Sequence, residues 1–374
     1  MSNSFRTTNS TGLINKDKKI NFTFNGTIYH GYEGDTLASA LIANGVHLVG
    51  RSFKYHRPRG FLGVGVEEPN AMVQLHDGNK SEPNIIATEV ELVEGLKAKS
   101  QNCWPSVQFD IGEINNVLNR FFPAGFYYKT FMWPKSFWMK IYEPFIRKAA
   151  GMGKAPLLPD PDRYEHNYEH CDVLVVGSGP SGLASALAAA KNGARVILAE
   201  DKPNFGGSLL TDEVTIGNMS GKEWASDTIS QLKSMPNVIL KKRSQVFGYY
   251  DHNMTVMIER VSDHIENPSK YTPRQRLHYI RAGEVIVSTG SIERPISFGN
   301  NDRPGIVLAS AAKEYMKVYE TLVGKKPIIF TNNDTAYSTA LEFIKNDIEP
   351  IIVDTRDSSN CLLYTSDAAD DIGR

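Results

Sequence analysis

Cysteine is scarce. The 374 residues hold three, Cys103, Cys171 and Cys361, far apart along the chain. No two stand in a C-x₂-C or C-x₄-C spacing, which excludes a dithiol redox centre of the disulfide-reductase kind. Three scattered thiols also make neither a disulfide framework nor a metal-ligand pattern, so a reducing, cytoplasmic setting is expected. Long apolar runs are missing. No stretch reaches the ~20 residues that span a bilayer, and Met1 to Lys19 has no apolar signal-peptide core. Charge of one sign is missing too: 41 Lys and Arg balance 42 Asp and Glu, for a net charge of -1. That gives no electrostatic footprint for nucleic acid or a membrane. The nine histidines form no readable dyad with the cysteines, so no catalytic residue and no metal site is assigned. What remains is ordinary globular composition, 41% hydrophobic and 22% charged, at a length for two or three domains.

One stretch organises the rest, DVLVVGSGPSGLASALAAAKNGARVILAE from Asp172 to Glu200. Val173 to Val176 is an apolar β-branched run that suits a buried strand. Gly177, Gly179 and Gly182 follow in the spacing G-x-G-x-x-G. An Ala- and Leu-rich helix is predicted from about Ser181 to Lys191 and ends at Gly193. Arg195 to Ala199 is a second buried strand, with Glu200 at its end. Gly177 permits the tight turn, Gly179 lets the backbone approach a pyrophosphate, and Gly182 allows close helix–strand packing. Free N–H groups at the helix start would bind the phosphates. A carboxylate at Glu200 would accept hydrogen bonds from an adenosine ribose and repel a 2′-phosphate. The fingerprint does not separate NAD from FAD, since both carry adenosine diphosphate.

Residues 1–19 read as a loose polar tail. Ile20 to Phe24 and Thr27 to Tyr32 alternate as strands about an Asn25-Gly26 hairpin turn. Asp35 is the expected N-cap of a helix from Thr36 to Asn44, stopped by Gly45. Ala71 to His76 and Ile85 to Val93 read as further strands. Residues 20–100 are thus expected to form a β-grasp, ferredoxin-like module. Its loop GRSFKYHRPRGFLGVGVEEPNAM carries Arg51, Lys54, Arg57 and Arg59. They read equally as an anion or partner contact and as a solvated basic loop. In plant-type ferredoxins a comparable loop holds Cys ligands at C-x₄-C-x₂-C. Here no cysteine falls between Ile20 and Gly95, so no iron–sulfur cluster is expected.

Residues 101–165 form an aromatic-rich connector with Phe121, Phe122, Phe126, Tyr127, Tyr128, Phe131, Trp133, Phe137 and Trp138. Pro123 and Pro134 interrupt any long helix. The segment suits both packing across domains and a surface for a partner chain. The dinucleotide domain is placed at 166–360. After Glu200, Gly206 and Gly207 suit a close backbone approach. Lys222 to Met235 reads as an amphipathic helix, and Val238–Leu240, Gln245–Tyr250, Met254–Glu259 and Leu277–Ile280 as strands. Glu284 to Ser288 is another buried strand, leading into Thr289-Gly290. A second βαβ unit begins at Pro327 and ends at Asp354. Its turn, TNNDTAY, has no glycine, so its nucleotide site is expected to be degenerate. From Cys361 to about Asp370 the chain resembles an in-frame translation of a sequencing adapter. Residues 361–374 are therefore expected to be a non-native tail on a fragment.

The separated segments YEGDTLASALIANGVHLVGRSFKYHRPRG, EEPNAMVQL, FFPAGFYYKTFMWP, VLVVGSGPSGLASALAAA, Ser288 to Pro295, Asn301 to Gly305 and FTNNDTAYSTALEF occur in one order. Together they resemble the alpha subunit of heterotetrameric sarcosine oxidase over nearly all of residues 20–356. The larger subunits of opine dehydrogenases and hydrogen cyanide synthase are similar. The resemblance implies an α/β fold, a cluster-less β-grasp module followed by a Rossmann-like FAD/NAD(P)-binding domain. It implies an oxidoreductase component for oxidative demethylation of sarcosine to glycine, working with beta, gamma and delta subunits. It implies NAD in this chain, FMN at the interface with the beta subunit, and FAD in the beta subunit. Tetrahydrofolate would enter through a folate-binding domain that this sequence does not include. Gly177, Gly179, Pro180, Ser181, Gly182, Glu200 and Asp201 would hold the dinucleotide. Gly206, Gly207, Ser208, Val246, Thr289 and Gly290 would line it. Two rivals stand beside this reading. One is a stand-alone FAD-dependent pyridine-nucleotide oxidoreductase, and the other is a scaffold whose nucleotide is structural.

Overall fold

The structure is a computed structural model that describes residues 5–7, 12–121, 131–149 and 151–356. The chain forms two compact units, one from residues 1–160 and 293–374, the other from Pro161–Ile292.

In the first unit, β1 (Asn15–Phe24) and β2 (Thr27–Glu33) form the expected hairpin. Asn25 and Gly26 both take positive φ, 51° and 82°, the geometry that matches strand twist. Helix α1 (Leu37–Ala43) buries Leu37, Leu41 and Ile42. Its N-cap is Thr36 rather than the expected Asp35: Thr36 and Ser39 cap each other reciprocally. Asp35 is instead buried, accepting from Ser39 Oγ at 2.7 Å and from Arg6. After α1 come β3 (Gly50–Arg51), β4 (Pro58–Arg59), β5 (Met72–Leu75), β6 (Glu82–Ile86) and β7 (Lys97–Ser100). The main sheet runs β2-β1-β7-β5-β6, with β1 parallel to β7 and the other pairs antiparallel. The strand expected to run to Val93 stops at Ile86, because Ala87 and Thr88 turn inward and Thr88 Oγ donates to Gly65 C=O. The polar strand β7 has no apolar alternation to announce it.

Three of the four cations of the basic loop are paired within the chain. Arg51 is buried and donates to Val107 C=O, His56 C=O and Glu113. Arg57 and Arg59 both pair with Asp302. Glu68 organises the glycine-rich half: its buried carboxylate accepts the amides of Leu62, Gly63, Asn70 and Ala71. In the connector, Trp104, Phe109, Phe121 and Trp133 are exposed. Phe122, Pro123, Phe126, Tyr127 and Tyr128 lie outside the described residues, as does the tail 361–374.

The second unit contains β8 (Tyr164–Val176), α2 (Pro180–Lys191), β9 (Val196–Ala199), a small hairpin of β10 (Thr215–Ile216) and β11 (Met219–Ser220), α3 (Gly221–Ser234), β12 (Val238–Lys241), β13 (Ser244–Tyr250), β14 (Met254–Arg260) and β15 (Gln275–Val287). One sheet runs β12-β9-β8-β15-β14-β13. Its first four strands are parallel, and β13 and β14 return antiparallel. Helix α2 contributes Leu183, Ala186 and Ala190, and α3 Ala225 and Leu232, to one core with Val175, Val196 and Leu198. A second core joins Cys171, Leu174, Ile197, Met257 and Ile280. Strand β8 begins at Tyr164, earlier than its apolar run, because its polar half pairs in register with β15 from Tyr164↔Gln275 onward.

The chain then completes the first unit with α4 (Ala309–Lys317), β16 (Ile328–Thr331), α5 (Tyr337–Ile344) and β17 (Ile351–Asp354). Strands β16 and β17 pair in parallel as the second βαβ unit. No described helix is long and apolar enough to cross a membrane.

Candidate dinucleotide site

Strand β8 ends at Val176 and the chain turns at once into α2. Gly177 takes φ 93°, and a Cβ there would sit 2.4 Å from Ser288 O. A Cβ on Gly182 would sit 2.0 Å from Gly177 O. Both positions therefore require glycine on packing grounds. Gly179 differs: a Cβ there meets no atom within 4 Å. Its missing side chain leaves open space at the helix start rather than resolving a clash. Pro180 occupies the first helical position, where no N–H is needed. Leu183 N–H closes the first helical bond to Gly179 C=O at 2.9 Å. Among the described residues the amides of Gly179, Ser181 and Gly182 have no acceptor. Three unpaired amides at the positive end of a 12-residue helix fit an anionic diphosphate.

Glu200 follows β9 and is buried. Its Oε2 accepts the Ser178 amide at 3.0 Å and the Ser178 hydroxyl, and its Oε1 accepts the Lys202 amide at 3.1 Å. Burial, reinforced by the neighbouring Asp201 carboxylate, pushes its pKa up to about 7. Its main chain is held on both sides, N–H to Lys241 C=O and C=O from Ser244 N–H, each at 2.8 Å. Asp201 offers its C=O to Arg260 Nη2 at 2.6 Å.

The second glycine pair closes on the first. Gly206 takes φ 130° and donates its amide to Ser178 C=O and Oγ. A Cβ on Gly207 would come within 2.8 Å of Gly179 Cα. Ser208 begins the short turn behind them and accepts the Thr211 amide. Ser288, Thr289 and Gly290 pass over the Gly177 turn, with Gly290 at φ 73°. Val246, on β13, packs against the core that includes Ala199, two residues beyond the Ser244 amide that holds Glu200. The residue of this hub that the sequence does not single out is Ser178. It stands between two glycines and is fully buried.

The second βαβ unit is different. Arg356 bridges Asp334 in the turn and Asp354 at the end of β17, each at 2.7 Å, and Tyr337 Oη donates to Asp354 at 3.1 Å. Arg356 holds the Asp354 carboxyl down at about 2.

Two family models match. Residues 17–103 match a 2Fe-2S iron-sulfur cluster binding domain, and residues 172–245 match an FAD dependent oxidoreductase. The chain is 51% identical over 92% of its length to the sarcosine oxidase alpha subunit of Rhizobium meliloti (strain 1021), covering 35% of that protein. It is 32% identical over 92% of its length to that of Corynebacterium sp. (strain U-96), covering 31%. An opine oxidase subunit from Agrobacterium tumefaciens (strain Ach5) is 23% identical over 50% of the chain, which covers 37% of that protein. The chain thus spans about a third of the length of these curated relatives. Among solved structures, L-proline dehydrogenase from P. horikoshii superposes with a TM-score of 0.62 at 18% identity, over 95% of this chain and 56% of that one. This last likeness is one of fold.

The cofactor expectation is corrected by the first family model. Thiol spacing led to the expectation of no iron–sulfur cluster, yet residues 17–103 as a whole match a 2Fe-2S cluster binding domain. Such a cluster takes four thiolates. Cys103 is the one cysteine in that range, and no three metal-donor side chains group together among the described residues. Cys103 alone would supply one of those four thiolates.

Proposed function

This chain is a homologue of the sarcosine oxidase alpha subunits, and on that premise we propose that it is the dinucleotide-holding part of an oxidoreductase acting on the CH–NH bond of a secondary amine. The observation that carries the proposal is the start of α2, where among the described residues the amides of Gly179, Ser181 and Gly182 have no acceptor and the Cβ position of Gly179 is open. The ligand class is a dinucleotide with an adenosine diphosphate half. Its diphosphate lies on those amides, Glu200 and Asp201 take the ribose side, and Gly206, Gly207, Ser208, Val246, Thr289 and Gly290 line the remainder. The match of residues 172–245 to an FAD-dependent model favours a flavin. The fingerprint itself accepts NAD as readily. In this reading the amine is sarcosine, demethylated to glycine by a cytoplasmic complex with beta, gamma and delta subunits, and this chain supplies binding and orientation.

The test is direct. Denaturing the purified chain and identifying the released nucleotide by mass spectrometry should give FAD or NAD in stoichiometric amount. Gly179→Val should remove it. Retention of the nucleotide by that variant would end the site assignment. Co-purification with the other subunits, followed by sarcosine turnover, tests the partner and substrate parts separately.

A further inference from the structure

A charged cluster lies apart from the residues assigned to the ligand. His278 is 0% exposed. Its Nδ1 lies 2.7 Å from Glu169 Oε1 and its Nε2 lies 2.8 Å from Glu259 Oε2. Both ring nitrogens face carboxylates, an arrangement satisfied when both donate. Lys241 Nζ approaches the same two acids, 3.7 Å from Glu169 and 3.5 Å from Glu259. Arg276 adds contacts to Glu259 at 3.2 Å and Glu165 at 3.0 Å. The members come from β8, β12, β14 and β15, so the cluster ties the parallel strands to the antiparallel return.

Lys241 links this cluster to the ligand side. It is the last residue of β12 and pairs with Ala199, the last of β9. While its side chain is held by the two acids, its C=O accepts the Glu200 amide. Three residues on, Ser244 donates back to Glu200 C=O and pairs across the sheet with Glu259. The corner that grips Glu200 on both faces of its peptide is thus anchored at Glu259 by charge and by strand pairing.

We infer that Lys241 and His278 are positioning residues for the dinucleotide site, acting through the Lys241–Ser244 corner on Glu200. The inference rests on the reading of Glu200 as the ribose acceptor. Removing one member of a buried ion cluster leaves the others uncompensated, which shifts the corner, and with it Glu200.

The test is equilibrium dialysis of NAD and of FAD against the full chain. It compares wild type, Lys241→Met, Lys241→Arg, Glu200→Ala and the Lys241→Met/Glu200→Ala double variant. Lys241→Met should weaken binding of the retained dinucleotide roughly tenfold, Lys241→Arg should restore most of it, and Lys241→Met should cost nothing further in the Glu200→Ala background. His278→Gln, which keeps a hydrogen-bonding side chain, should show the same dependence on Glu200. Equal losses with and without Glu200 would overturn the positioning role and leave the site standing. Unchanged binding in Glu200→Ala alone would overturn the site reading itself.

Discussion

Ser178 gives both its amide and its hydroxyl to one oxygen of Glu200. The turn that would hold a diphosphate and the acid that would hold a ribose are therefore a single hydrogen-bonded piece. The same hydroxyl oxygen accepts the Gly206 amide at 3.1 Å, which brings the second glycine pair into that piece. Ser178→Ala should lower stability by roughly 1–3 kcal/mol, since it removes a buried hydrogen bond to a carboxylate and one of the two acceptors of the Gly206 amide. It should also weaken dinucleotide binding several-fold. Urea unfolding and dialysis on one sample separate the two effects, and a variant unchanged in both would show that the hydroxyl is idle.

The two inner glycines should fail differently. Gly182→Ala drives a Cβ into Gly177 O and should destabilise the unit by several kcal/mol, in line with other overpacked sites. Gly179→Ala meets nothing in the free chain. It should leave the unfolding midpoint close to wild type while weakening the bound dinucleotide. Thermal melts with and without ligand read this contrast, and similar melts for the two variants would refute it.

Glu200 should make the free chain less stable at alkaline pH. Its pKa lies near 7 in the folded chain, above the ordinary carboxylate value of 4.5, so the folded state binds the extra proton. The stability linked to that proton is complete below about 4.5 and is lost as pH rises through about 7. Glu200→Gln is neutral throughout. It should be the more stable chain at pH ~8, by on the order of 2–3 kcal/mol, and gain little at pH ~4. Parallel pH profiles for the two chains would contradict this.

Glu68 is the fulcrum of the glycine-rich loop. Glu68→Ala leaves four amides, those of Leu62, Gly63, Asn70 and Ala71, without their acceptor. At roughly 1 kcal/mol or more for each lost partner, a loss of at least about 4 kcal/mol is expected. Hydrogen exchange should show those four amides losing protection together. Protection lost at one end of the loop alone would argue against a shared hub.

Much of this was legible in the residues. The Asn25-Gly26 turn, the helix over α2, the short strands from Val238 to Arg260 and the roles of Gly177 and Gly182 follow from local chemistry. The polar start of β8 did not show, because Tyr164 to His170 is held by pairing with β15 and not by its own apolar pattern. Asp35 was a reasonable cap by type, yet Arg6, 29 positions away, draws it into the interior. The cations Arg57 and Arg59 looked free because their partner, Asp302, is more than 240 residues distant. Ser178 could be named only once its two partners, Glu200 and Gly206, were seen around it.

Arg356 already satisfies the two carboxylates, Asp334 and Asp354, at the places where a second nucleotide would lay its phosphates and ribose. An incoming diphosphate would have to evict a guanidinium and then sit against two uncovered acids. The second βαβ unit is thus sealed by its own side chains, and nucleotide titration of this chain should saturate at a single equivalent.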